Sequence, residues 1–317
     1  MTRLGIGGFH YAINNPGPLA AATDIVIPAG GTQGSATALR RQGAITHRLV
    51  FVAATLVSTE DGPLHAGEFM VPAHASLAQI LNILRHGAPV EHQVTIPEGL
   101  TGWQIAGIIN VAPMARGKIA PPPEGSVLPQ TYDYVRGTPR AAILARAQRA
   151  LAAMMNAKWA ARDRDIPITS PAQALILASI VQSETPLSRE MPEIAAVYEN
   201  RLIKGMKLQA DPTVIFAASQ GRIAGGVAIS RADLSRASPY NTYMIDGLPP
   251  GPICAPGVAA ITAVLHPAKS RALYFVATGT GGHVFADDFT QQLKNIAAYH
   301  AVQNNETINR DATSLRN

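Results

Sequence analysis

Phe69-Met70-Val71-Pro72-Ala73-His74-Ala75-Ser76 is the stretch on which the fold turns. A short apolar run ends at a proline, which cannot donate to a strand ladder and so closes a β-strand. Four residues after the proline stands a hydroxyl residue able to accept a backbone N–H at a helix start. Ile80, Ile83 and Leu84 then follow at helical spacing. The arrangement recurs. Ile25-Val26-Ile27-Pro28 leads to Thr32, with Ala36 and Leu39 beyond it. Val94-Thr95-Ile96-Pro97 leads to Thr101, with Ile105, Ile108 and Ile109 beyond. Strand, turn and capped helix in succession predict an α+β fold. Three unevenly spaced copies are too few for a solenoid.

The spacing of this module resembles LysM-type carbohydrate-binding folds. It predicts a small LysM-like α+β domain over residues 22–92, preceded by a tail over 1–21. The third copy leads into a larger α+β domain over 93–300, followed by a polar tail over 301–317. Val111–Pro123 is Pro-rich and reads as a loop or hinge. Helices are expected over Thr138–Arg162, over Ser170–Glu184 with Pro186 as a stop, and over Pro192–Lys204 ending at Gly205. Gly279-Thr280-Gly281-Gly282 lies between two strand-like runs and reads as a hairpin turn rather than a phosphate loop.

With 47% hydrophobic and 15% charged residues, the 317-residue chain is not disordered. No run of about 20 apolar residues suggests a membrane span. The net charge of +5 is scattered, its densest cluster being Arg136 to Arg164 on a predicted helix with few aromatics, which reads as a solvated face. A nucleic-acid partner is therefore not expected; an acidic polymer or an anionic membrane surface suits the weak field equally. One cysteine, Cys254, excludes a disulfide framework and a Cys-based metal site, and it reads as a small apolar filler. P-loop, zincin and nucleophile-elbow motifs are absent, and no metal or cofactor is expected.

The chemistry concentrates in Leu175–Thr185 (LILASIVQSET). Leu177, Ile180, Val181 and Glu184 share one helical face, so Glu184 sits where an apolar residue is expected. A carboxyl there loses hydration, which raises its pKa and suits it to general-acid work near neutrality. The alternative is a glutamate at a frayed helix end, reaching water. Downstream, Gln209, Asp211, Thr213, Ser238, Tyr240, Asn241 and Tyr243 supply amides, hydroxyls and flat rings suited to sugar recognition. The Pro/Gly run Gly247–Pro252 could wall a cleft.

These segments resemble the endolytic murein transglycosylase family (MltG or YceG-like). The likeness extends from about Pro16 to His300. It rests on Leu177–Val181 with Glu184-Thr185, Asn200-Arg201-Leu202, Gly205-Met206 with Leu208-Gln209, and Asp211–Ile215. Ser230–Leu234, Ser238–Tyr243, Gly247–Ile253, His266–Lys269 and Tyr274–Ala277 with Gly281–Phe285 complete it. The resemblance implies an enzyme on the periplasmic side of the bacterial inner membrane, held by one N-terminal helix. Such an enzyme cuts nascent peptidoglycan glycan strands between N-acetylmuramic acid and N-acetylglucosamine and leaves 1,6-anhydro ends. It implies Glu184 as the catalytic acid and then base, and peptidoglycan synthases as possible partners. One carboxylate suffices where the nucleophile, the C6 hydroxyl, is already in the substrate.

The chain departs from the family pattern at Gln182, where a second glutamate is usual, and at Gln130, where Asp is frequent. Leu4–Ala12 (LGIGGFHYA) reads as the end of a truncated span. The competing reading is a non-catalytic peptidoglycan-binding module, resting on the LysM-like front domain and on Gln182.

Overall fold

The computed structural model describes residues 10–314, with side chains to residue 303. Most of the Leu4–Ala12 segment therefore lies outside the described residues. Among these residues no helix is long and apolar enough to cross a membrane. The chain divides into two compact units. Of the described residues, one comprises those up to 93 with 112–116 and 133–139, and the other 94–111, 117–132 and those from 140 on.

The first unit is built on β1 (Thr23–Ile27), α1 (Gly31–Arg41), α2 (Arg48–Val57), β2 (Gly67–Val71) and α3 (Leu77–His86). β1 and β2 pair antiparallel, with Ile25 opposite Phe69. Ile25, Leu39, Phe51, Phe69, Ile80 and Leu84 form its core. Pro28 and Pro72 end the strands as expected. Ser76 caps α3 through a reciprocal pair, its hydroxyl accepting from Gln79 N–H while the Gln79 side chain accepts from Ser76 N–H. The first copy of the module behaves differently. Gly30 and Gly31 adopt positive φ (153° and 70°), so the chain turns early and α1 begins before Thr32. Thr32 thus lies inside the helix and does not cap it. Gln42 closes the free edge of β1, its amide bonding both N–H and C=O of Val26 at 2.9 Å.

In the second unit α4 (Gly102–Val111) starts at Thr101, whose hydroxyl accepts from Gln104 N–H in the expected way. α5 (Arg140–Ala160), α6 (Pro171–Glu184) and α7 (Met191–Ile203) follow, close to the predicted limits. Then come α8 (Asp211–Ala218), α9 (Arg231–Leu234) and α10 (Val258–Leu265). α10 packs on α6 and α7, burying Leu177, Ile180, Val181, Ile194, Tyr198, Ile261, Val264 and Leu265 in one core. β3 (Glu91–Thr95) and β4 (Thr131–Val135) form a second two-stranded sheet. β5 (Tyr274–Ala277) and β6 (His283–Ala286) are the antiparallel hairpin expected from their glycines, with Gly279, Gly281 and Gly282 at positive φ. The last helix, α11, runs Phe289–Ser314. The segment expected as a tail from Ala301 therefore stays helical to Ser314, since no Gly or Pro interrupts it.

Candidate active site

The site is assembled where α6 ends. Ser170 caps that helix by accepting from Gln173 N–H, and Pro171 fills its first turn. Leu177, Ile180 and Val181 are fully buried, so the helix cannot rotate without exposing its core face. Its final turn is fastened to the segment 253–257. Ser179 Oγ accepts from Ile253 N–H at 3.0 Å, and Gln182 Oε1 accepts from Gly257 N–H at 2.9 Å. Ser183 Oγ lies 3.3 Å from the buried thiol of Cys254. That thiol is pushed up to about 12 by burial, so it stays protonated and acts as the expected filler. Thr185 leaves the helix in an extended conformation and its hydroxyl accepts from Leu187 N–H.

Glu184 closes the helix, as its position on the apolar face predicts. The Tyr198 hydroxyl, from α7, donates to its Oε1. Loss of hydration pushes the Glu184 carboxyl up to about 7; the Tyr198 hydrogen bond opposes this, the negative charge of Asp211 adds to it, and Arg201 opposes it. Arg201 does not neutralise Glu184, because its guanidinium is spent elsewhere. Nε donates to Leu273 O at 2.7 Å and Nη1 to Leu208 O at 2.8 Å. The neighbouring Asn200 donates to Ser270 O and Ala272 O, both at 3.0 Å. α7 thus fixes the segment leading into β5 and the turn before α8.

That turn carries Gln209, exposed and in the left-handed region at φ 51°. Asp211 opens α8, exposed, and accepts from the Tyr243 hydroxyl at 2.6 Å. Asp211 and Tyr243 therefore lie in the field of Glu184, and Gln209 Oε1 lies 3.5 Å from Arg201 Nη1. Tyr240, half-buried, packs at a tilt of 52° against Phe216, ring centres 4.8 Å apart, and lies in the field of Glu124. Two of the proposed sugar contacts are corrected by the fold. Thr213 and Asn241 are wholly buried. The Thr213 hydroxyl bonds Ala210 O and Thr242 Oγ1, and the Asn241 amide donates to the carbonyls of Asp233, Leu234 and Arg236. Both shape loops and have nothing left for a sugar. Ser238 is partly buried, with its hydroxyl accepting from Tyr240 N–H.

Three groups escape a reading of the sequence. Tyr198 and Arg201 share a helical face with Ile194, and a phenol and a guanidinium on that apolar stripe are the same signal that marks Glu184. Glu124 sits in a proline-rich loop with no periodicity to betray it. Its carboxyl accepts from Gly102 N–H at 2.8 Å, and burial pushes it up to about 7. Among the described residues no group of three or more His, Cys, Asp and Glu side chains is placed to hold a metal ion.

The end of α6 thus brings a carboxyl whose pKa is raised by burial together with an exposed carboxylate and phenols, on an α+β fold. The chain belongs to the YceG-like family, whose sequence model matches residues 25–298. A Bacillus subtilis (strain 168) protein named endolytic murein transglycosylase is 38% identical over 130 residues, 41% of this chain and 35% of that protein. A Streptococcus pneumoniae (strain D39) protein of the same name is 26% identical, covering 93% of this chain and 62% of its own length. The chain thus spans between about a third and two thirds of these relatives. The crystal structure of a yceG-like protein from Listeria monocytogenes superposes with a TM-score of 0.52 at 28% identity, covering 86% of this chain and 98% of that one.

Proposed function

We propose that this chain is an endolytic lytic transglycosylase that cleaves the β-1,4 bond between N-acetylmuramic acid and N-acetylglucosamine in nascent peptidoglycan glycan strands. Glu184 gives its proton to the glycosidic oxygen, and the bond from C1 to that oxygen breaks. The resulting carboxylate takes the proton of the muramic C6 hydroxyl as O6 closes on C1. Glu184 ends protonated, a 1,6-anhydro end is left, and no water is consumed. The observation that carries this reading is the Glu184 carboxyl itself, held at about 7 by burial, so that acid and base forms are both accessible near neutrality. The names of the relatives supply the substrate class.

Gln209, Asp211, Tyr240 and Tyr243 are the groups assigned to the glycan. Gln182 is occupied by Gly257 N–H, which leaves Glu184 as the working residue of the helix end. The strand–helix–helix–strand order of the first unit supports its reading as a LysM-like domain over residues 22–92, ahead of a catalytic domain over 93–300. Anchorage at the periplasmic face of the inner membrane and partnership with peptidoglycan synthases belong to the same proposal. Digestion of uncrosslinked glycan strands followed by mass spectrometry tests it. Anhydro-muropeptides from the native protein and none from Glu184→Gln are expected; reducing ends in their place would overturn the transglycosylase reading, and undigested glycan would favour a binding module.

A further inference from the structure

We propose that Tyr198 is the positioning residue of this site: by holding Oε1 of Glu184 it assigns both proton transfers to Oε2. The proposal rests on Glu184 being the acid of the reaction described above. Tyr198 is 1% exposed and lies in α7, packed under the end of α6. Its ring meets Phe275 edge-on at 5.9 Å; Phe275 meets His283 edge-on at 5.4 Å; and His283 Nδ1 lies 2.9 Å from Glu190 Oε2. Asn200 and Arg201, next along the same helix, are tied to the carbonyls of Ser270, Ala272 and Leu273. A ring braced in this way has one orientation, and its hydroxyl donates to Glu184 Oε1, its one acceptor among the described residues.

The consequence follows from proton counting. With Oε1 accepting from Tyr198, the neutral carboxyl carries its proton on Oε2, and that proton goes to the leaving glycosidic oxygen. The carboxylate so formed gains from a charge-assisted bond to the phenol. It recovers one proton, again on Oε2, from the C6 hydroxyl. Tyr198 keeps its own proton throughout, because burial, and next the charge of Glu184, hold the phenol well above its ordinary range. The other charged groups facing Glu184 are Arg201 on α7 and Asp211 on α8. Arg201 is committed to backbone carbonyls and Asp211 to Tyr243.

Tyr198→Phe keeps the ring and its contact with Phe275 and removes only the hydroxyl. The Glu184 titration, followed by carbon-13 NMR of labelled side-chain carboxyls, should move up by roughly one pH unit. The alkaline limb of kcat/KM should move with it, kcat at pH 7 should fall by roughly 10- to 100-fold, and KM should hold. Replacing Tyr198 by 3-fluorotyrosine, a stronger donor of nearly the same shape, should move the titration down; this keeps the test open if the Phe variant folds poorly. A Glu184 titration that stays in place in both proteins overturns the proposal, whatever happens to kcat. Absence of anhydro products from the native protein would instead sink the function and leave this titration unaffected.

Discussion

Glu68 in the first unit and Glu184 in the second are both carboxyls withdrawn from water, and they end in opposite charge states. Glu68 is 6% exposed, yet Arg136 Nη2 lies 2.8 Å from one oxygen and His92 Nε2 2.6 Å from the other. The Arg136 hydrogen bond pulls its pKa below the ordinary carboxylate range, against burial. Glu184 retains some contact with solvent but is met by a neutral phenol, while the nearby guanidinium of Arg201 is turned to carbonyls. Burial then wins, and its proton stays on to about pH 7. The charge of the partner, more than burial itself, separates a structural anion from an acid that can give up a proton. Glu199 belongs with Glu184 by this measure. It is 3% exposed, its Oε1 has no hydrogen-bond partner among the described residues, and burial followed by the charge of Asp163 pushes it up to about 8.

The largest effect expected from this contrast is on activity. Glu184→Gln should lower the rate of anhydro-end formation at least about a thousandfold while circular dichroism and Tm stay native-like. Next comes Glu199→Gln. A carboxyl whose folded pKa is raised costs stability above its unfolded pKa, so the native protein loses stability as pH rises from about 4.5 to about 8. The variant should gain about 2–3 kcal/mol at pH 8 in urea unfolding and nothing at pH 4. Glu68→Gln should act in the opposite sense, costing about 1–2 kcal/mol at pH 7 because the half-buried Arg136 guanidinium loses its carboxylate partner. Glu68 is held below its unfolded value, so that loss should vanish as pH falls through its depressed pKa. Ser76→Ala, which removes a helix cap and touches neither carboxyl, should cost about 1 kcal/mol at every pH. A Glu199→Gln gain that is flat with pH would break the contrast; one that follows pH would sharpen it.

Features set by near neighbours in the sequence were readable there. Prolines end the strands, Ser76 and Thr101 cap their helices, and Glu184 lies on its apolar stripe because each depends on residues three or four positions away. Thr32 misled because two glycines turned the chain before it, a backbone freedom stronger than a capping hydroxyl. Thr213 and Asn241 misled for another reason: the groups that suit sugars equally suit loop carbonyls, and only burial tells them apart. Tyr198 stands out on its apolar stripe, but its partner lies 14 positions away, and Glu124 has neither a stripe nor a near partner, its own lying 22 positions away; no helical or strand period spans such distances.

The central claim is that Glu184 still carries its proton where Glu68 does not, and side-chain carboxyl titration by carbon-13 NMR on the native protein measures this directly. The account predicts Glu184 half-titrated near pH 7 while Glu68 titrates below the ordinary carboxylate range. A Glu184 that titrates in the ordinary carboxylate range, alongside exposed glutamates, would contradict it.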